Sequence, residues 1–136
     1  MRSRLLAALA FAGLITLPAQ AQDWPARQPV RVVIPFAAGS GPDIVARTVF
    51  EQVGRQIGQA IVFENRGGGG TTVGSLAVMN APADGYTLLV NSTSHVVVAS
   101  TYANLTYHPV NDFTPVTILA ELPSVSYTHL TLPTKA

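Results

Sequence analysis

The sequence predicts an α/β fold, a mostly parallel β-sheet flanked by helices. Short strand-like and helix-like segments alternate in the order β-α-β-α-β, and the connections between them are short. The longest helix-like segment, from Asp43 to Ile57, repeats its apolar residues Ile44, Val45, Val49, Val53 and Ile57 at three- to four-residue spacing. Taken in order, Asp23 to Gln28 is a polar lead-in, and Val30 to Pro35 is a short buried strand rich in β-branched residues and ended by proline. Phe36 to Pro42 is a small-residue loop before the long helix, which Gly58 stops. Ala60 to Phe63 is the second strand and Glu64 to Gly70 a glycine-rich loop. Thr72 to Asn80 is a shorter helix with Val73, Leu76 and Ala77 inward, and Pro82 to Gly85 a turn. Tyr86 to Asn91 is the third strand, and Ser92 to His95 a polar loop. Val96 to Ala103 reads equally as helix or extended chain, and Val116 to Leu119 as a fourth strand.

Composition narrows the function. Of 136 residues, 48% are hydrophobic and only 11% charged, below the roughly 25% of an average soluble protein. Such a chain is too apolar and charge-poor to be disordered. A formal charge of +1 offers no basic footprint for nucleic acid. The absence of cysteine excludes a disulfide scaffold, a zinc–thiolate site and a cysteine nucleophile.

Much of the apolar excess is N-terminal. Arg2 and Arg4 precede the apolar run Leu5 to Leu17; Pro18 follows, then Ala19-Gln20-Ala21 with small residues at the −3 and −1 positions. This is the pattern of a secretory signal peptide cleaved after Ala21, and the run is too short to span a bilayer. Export, to a bacterial periplasm, is expected.

In a parallel sheet, ligands bind outside the carboxyl ends of the strands. Three loops fall there, Phe36–Pro42, Glu64–Gly70 and Ser92–His95, all rich in small and polar residues. Ser40 is placed to cap the long helix, with Asp43 as an approximate capping-box partner, and Pro42 in the first turn sacrifices no useful donor. Free N–H groups and the helix dipole then favour an anion; an ordinary capped helix with nothing bound fits the spacing equally. Neither Gly41 nor Gly70 is followed by lysine, so no P-loop is present. A dinucleotide fingerprint lacks its last glycine, and Ala38-Gly39-Ser40-Gly41-Pro42 is not a nucleophile elbow. The four glycines Gly67 to Gly70 read either as a close backbone approach or as a flexible surface loop, composition favouring the latter. His95, His108 and His129 lack metal-ligand spacing, and no acid–base constellation marks a catalytic site. No metal and no cofactor are expected.

Five motifs stand in register: PFAAGSGPD from Pro35 to Asp43, IVAR from Ile44 to Arg47, VFENR from Val62 to Arg66 with glycines on to Gly74, ADGYTLL from Ala83 to Leu89, and YHP from Tyr107 with DFTPV from Asp112 to Val116. Together they resemble the tripartite tricarboxylate transporter substrate-binding family, the Bug solute-binding proteins. The resemblance implies the first lobe of a periplasmic binding protein of type II-like fold. Two α/β lobes close around a small carboxylate, which is handed to membrane permease subunits. It also implies a monomer when full length and no enzymatic activity. By position, Phe36, Ala37, Ala38, Gly39, Ser40 and Asp43 would form the first-lobe binding loop, with Thr93 and Ser94 after the third strand facing the same cleft. An exported α/β hydrolase and a binding protein that signals to a receptor are the alternatives.

Two departures are local. The family usually has Gly-Gly where this chain has Gly39-Ser40, and a proline and an alanine in the loop after Arg66, where this chain has glycines and a looser loop is expected. A third concerns length. Residues 1–21 are read as leader and 22–124 as a partial first lobe, with the second lobe absent. Residues 125–136 are read as a non-native tail, because VSYTHLTLPTK resembles the conceptual translation of a sequencing-library adapter.

Overall fold

The computed structural model describes residues 24–123. The leader and the expected foreign tail lie outside the described residues. Three strands form the sheet: β1 (Val30–Ile34), β2 (Ile61–Asn65) and β3 (Thr87–Leu89). Their order is β2-β1-β3, and both pairings are parallel. Helix α1 (Gly41–Ile57) joins β1 to β2, α2 (Thr72–Met79) joins β2 to β3, and α3 (Ser94–Thr101) follows β3.

β1 lies between the other two strands. Val32, Val33 and Ile34 are fully buried, the consequence of a β-branched run covered on both faces. The ladder continues past the strand ends: Arg66 N–H donates to the Ile34 carbonyl and Val90 N–H to that of Val33. Val30, Val32, Ile34, Ala46, Tyr86 and Val90 make the core, with Phe50, Ile57 and Leu119 packed against it.

The inward faces of the helices differ in phase from the expectation. On α1 the buried residues are Asp43, Ala46 and Gly54, while Ile44 is 57% exposed. Asp43 has partners that let it turn inward, and it rotates Ile44 out. On α2 the buried residues are Gly74 and Ser75, whereas Val73 is exposed. A Cβ at Gly74 would stand 2.8 Å from Pro35 Cβ and 2.9 Å from the Arg66 carbonyl oxygen. Only glycine fits so close an approach. Gly58 ends α1 in the left-handed conformation (φ +65°), as expected.

Two further expectations are corrected, and one left open is settled. The polar segment Ser92–His95 is not wholly a loop, since Ser94 and His95 already belong to α3; Val96 and Val97 N–H groups donate to the Thr93 carbonyl. The same helix settles Val96 to Thr101 as helical. Val116 to Leu119 is not a strand. Among the described residues it finds no strand to pair with; Leu119 packs on the core while Val116 and Ile118 are 81% and 83% exposed. β-branched composition supplies propensity, but a strand exists only by pairing.

Candidate functional site

A 2-1-3 parallel order reverses direction beside β1. The chain passes from β1 outward to β2, then crosses back to β3 on the other side of β1. In such sheets the crevice opens at that switch point, between the loops after β1 and β3. The loop after β1 carries Phe36, Ala37, Ala38, Gly39 and Ser40; the segment after β3 carries Thr93 and Ser94. The topology thus puts both groups of expected binding residues on one edge of the sheet.

The first loop is built from the end of β1 to the first turn of α1. Ser40 N–H donates to the Ala37 carbonyl (3.2 Å), closing a turn, and Gly39 takes the positive φ of +81° that this turn requires. Ser40 is extended at φ −69°, which any residue accepts, so a serine in place of a second glycine causes no backbone strain. The expected cap by Ser40 does not form. Its Oγ is buried and has no hydrogen-bond partner among the described residues. Instead Asp43 reaches back one residue further, its Oδ2 accepting the Gly39 N–H at 2.8 Å.

Asp43 is only 2% exposed, and both its oxygens are occupied. Arg47 Nε lies 3.1 Å from Oδ1 and 3.0 Å from Oδ2, and Asn65 Nδ2 donates to Oδ1 at 2.8 Å. The Arg47 hydrogen bonds, then those of Asn65 and the Gly39 amide, hold the Asp43 carboxyl well below the usual carboxylate range, against the opposing effect of burial. The same ion pair raises the affinity of Arg47 for its proton. Asp43 is therefore at the site but faces inward, shaping the loop from behind. Asn65 and Arg47, which the sequence reading did not single out, complete this arrangement. The signal that could have found them is VFENR ending a strand beside an Asp and an Arg one helical turn apart.

What faces outward is backbone. Among the described residues, the N–H groups of Ala37 and Ala38 have no partner, and Gly41 and Asp43 supply first-turn donors of α1. Both alanines are exposed. Leu122 Cδ1 lies 3.4 Å from where a Gly41 Cβ would stand, so an aliphatic side chain borders this turn.

The glycine loop is more constrained than its composition suggests. Gly68, Gly69 and Gly70 have φ of +121°, +55° and +63°, and Thr71 continues at +85°. The Tyr102 ring would stand 3.2 Å from a Gly70 Cβ. Thr71 is 5% exposed, with Oγ1 unpartnered among the described residues.

After β3, Asn91 Oδ1 accepts the Ser92 N–H (2.9 Å), and Ser92 Oγ meets Ser94 Oγ at 2.9 Å. Thr93 is exposed. His95 Nε2 donates to the Pro109 carbonyl (2.9 Å), its ring stacks on Tyr107, and Phe113 meets it edge-on at 4.8 Å. Asn91 Nδ2 lies 3.2 Å from His95 Nδ1 and 3.3 Å from Ser75 Oγ. Ser75 Oγ is 3.4 Å from the same Nδ1, but it donates to the Thr71 carbonyl at 3.0 Å and is fully buried, an arrangement that serves packing rather than nucleophilic attack. Among the described residues no three metal-ligating side chains converge, and no helix is long and apolar enough to cross a membrane.

The family model for the tripartite tricarboxylate transporter family receptor matches residues 45–136. This chain belongs to that family. A UPF0065 protein of Agrobacterium vitis is 39% identical over 123 residues, which cover 90% of this chain and 36% of the relative. Among solved structures, MatC from Rhodopseudomonas palustris with bound malate superposes with a TM-score of 0.65 at 38% identity, over 69% of this chain and 32% of the other. The periplasmic binding protein BugD gives 0.62 at 39% identity, over 65% of this chain and 30% of its own. The chain thus spans about a third of the length of these receptor-family proteins, and the region aligned is an α/β unit of a periplasmic binding protein.

Proposed function

We propose that this chain is the first lobe of a periplasmic solute-binding protein that captures a small carboxylate. The observation that carries this reading is the switch point. N–H groups of Ala37, Ala38 and Gly41 that have no partner among the described residues stand on one side of it, and the hydroxyls of Thr93 and Ser94 on the other. Neutral donors at a helix start stabilise an anion without a cationic side chain. Phe36, Gly39, Ser40 and Asp43 give the loop its shape. Membership of the receptor family and the likeness to a malate-bound protein support a carboxylate as ligand. The bound solute is then delivered to the membrane subunits of a tripartite transporter, after export and cleavage following Ala21.

Closure around a ligand requires contacts made only in the closed state. The residues described here offer the donors of one side only, so residues 1–136 by themselves are expected to bind malate more weakly than the R. palustris protein does. The test is a titration of the isotope-labelled chain with malate, into the millimolar range, followed by amide resonances. Shifts centred on Ala37, Ala38, Gly41, Thr93 and Ser94 are expected. No shift at these residues, or the same shifts with the uncharged diamide of malate, would sink the reading.

A further inference from the structure

We propose that Asn65 and Arg47 are positioning residues of this site: they hold the Asp43 carboxylate on the Gly39 N–H and so decide which donors the loop keeps for an anion. The inference rests on the carboxylate-binding reading for its functional meaning, but its geometry stands apart from it.

The arrangement is closed. Asn65 uses both ends of its amide. Nδ2 donates to Asp43 Oδ1 at 2.8 Å and to the Phe36 carbonyl at 3.1 Å, and Oδ1 accepts from Arg47 Nη2 at 2.9 Å. Arg47 spends Nε on Asp43 and lies over the Phe63 ring at 4.8 Å. Asn65 from β2 thereby holds the Phe36 carbonyl directly, and Asp43, itself fixed by Asn65 and Arg47, holds the Gly39 N–H.

Two consequences follow. The Gly39 N–H goes to Asp43 and the Ser40 N–H to Ala37, so neither is left for a ligand. Among the described residues, the donors left open are those of Ala37 and Ala38, with Gly41 and Asp43 in the first turn of α1. An anion arriving there approaches a buried carboxylate, whose field would repel it unless neutralised. Arg47 supplies the balancing charge, and Asn65 supplies a neutral donor that adds no charge. A lysine at position 47 keeps the charge but cannot place one nitrogen on Asp43 and a second on Asn65 in the same plane.

The signature to read is the Gly39 amide proton. Hydrogen-bonded to a carboxylate, it is expected to resonate downfield and exchange slowly in the unmodified chain. In Asn65→Ala and in Arg47→Lys it is expected to move upfield and to exchange at least about tenfold faster, the size of effect for weakening one charge-assisted hydrogen bond. The Val32 and Val33 amides in β1 should hold. Ile57→Val, which loosens the core away from this network, should lower stability and leave the Gly39 signature in place. If Asn65→Ala does not fold, Arg47→Lys carries the same readout. A Gly39 resonance unmoved by these substitutions, or moved as far by Ile57→Val, would overturn the proposal. Malate separates the two readings. Malate that shifts the Ala37 and Ala38 amides but spares Gly39 supports both. Malate that takes over the Gly39 amide overturns the positioning role. A chain that ignores malate while its Gly39 amide responds to the substitutions loses the carboxylate reading and keeps the positioning one.

Discussion

The loops after β1 and β2 look alike in sequence, a stretch of small residues and glycines ahead of a helix, yet opposite means hold them. The loop after β1 is tied by side chains that lie outside it: Asp43 and Arg47 on α1, Asn65 on β2. The loop after β2 is held by its backbone, through left-handed φ values from Gly68 to Thr71 and the contact of Gly74 with Pro35. Small-residue content therefore does not say whether a loop is loose. It says only that any tie must come from elsewhere in the chain or from dihedral angles that few residues accept.

The largest expected effect breaks the second loop and spares the first. Gly74→Val places branched carbon where 2.8 Å separates an added Cβ from Pro35 and 2.9 Å from the Arg66 carbonyl oxygen. Neither neighbour can yield, so a loss of about 3 kcal/mol is expected, the upper end for overpacking. Chemical denaturation measures it, and the Gly39 amide should keep its carboxylate-bonded signature in whatever fraction stays folded.

Acid should break the first loop and spare the second. The Asp43 carboxyl is held below the usual range in the folded chain by Arg47, Asn65 and Gly39. Its contribution to stability is thus fully present above the unfolded carboxyl value of about 4 and is lost as pH falls towards the lowered folded value. Denaturation midpoints measured down the acid side should fall more steeply for the unmodified chain than for Asp43→Asn. Gly74→Val should keep the full slope, because its damage does not titrate. Equal slopes for Asp43→Asn and the unmodified chain would show that Asp43 is not the titrating tie.

These differences also mark what could be read from residues alone. The alternation of elements, the parallel sheet and the glycine stop of α1 were legible because each depends on local chemistry: β-branched runs, helical spacing, the tolerance of Gly58 for positive φ. The phase of α1 was not, because Ile44 is an ordinary inward residue until Asp43 acquires partners from β2. The inward face of α2 was misread for a related reason, since close packing on Pro35 favours Gly74 over Val73. The strand expected at Val116 to Leu119 failed because pairing is non-local. At the site, the position of the small-residue loop between β1 and α1 was legible from its spacing, whereas Asn65 and Arg47 emerge only once α1 lies against β2.

A smaller effect tests the turn itself. Gly39→Ala meets no atom of the described residues within 4 Å, so the cost expected is conformational and not steric. At φ +81° an alanine should lose about 1–2 kcal/mol. Malate binding, read at the Ala37 and Ala38 amides, should weaken together with stability. A loss of stability without a change in binding would mean that the turn is not what orients those donors.

The smallest effect has the opposite sign. Thr71 is a β-branched residue at φ +85°, almost fully buried, with a hydroxyl that finds no partner among the described residues. The left-handed conformation costs a non-glycine residue about 1–2 kcal/mol. Glycine removes that cost and the desolvated hydroxyl together, but it adds unfolded-state entropy worth roughly 0.5–1 kcal/mol. Little packing is lost with a side chain that small, so Thr71→Gly should raise stability by about 0.5–1 kcal/mol. A fall in the denaturation midpoint would mean that the threonine methyl contributes more to packing than the strain removes, and the second loop would then be held by side-chain packing as well as by its backbone.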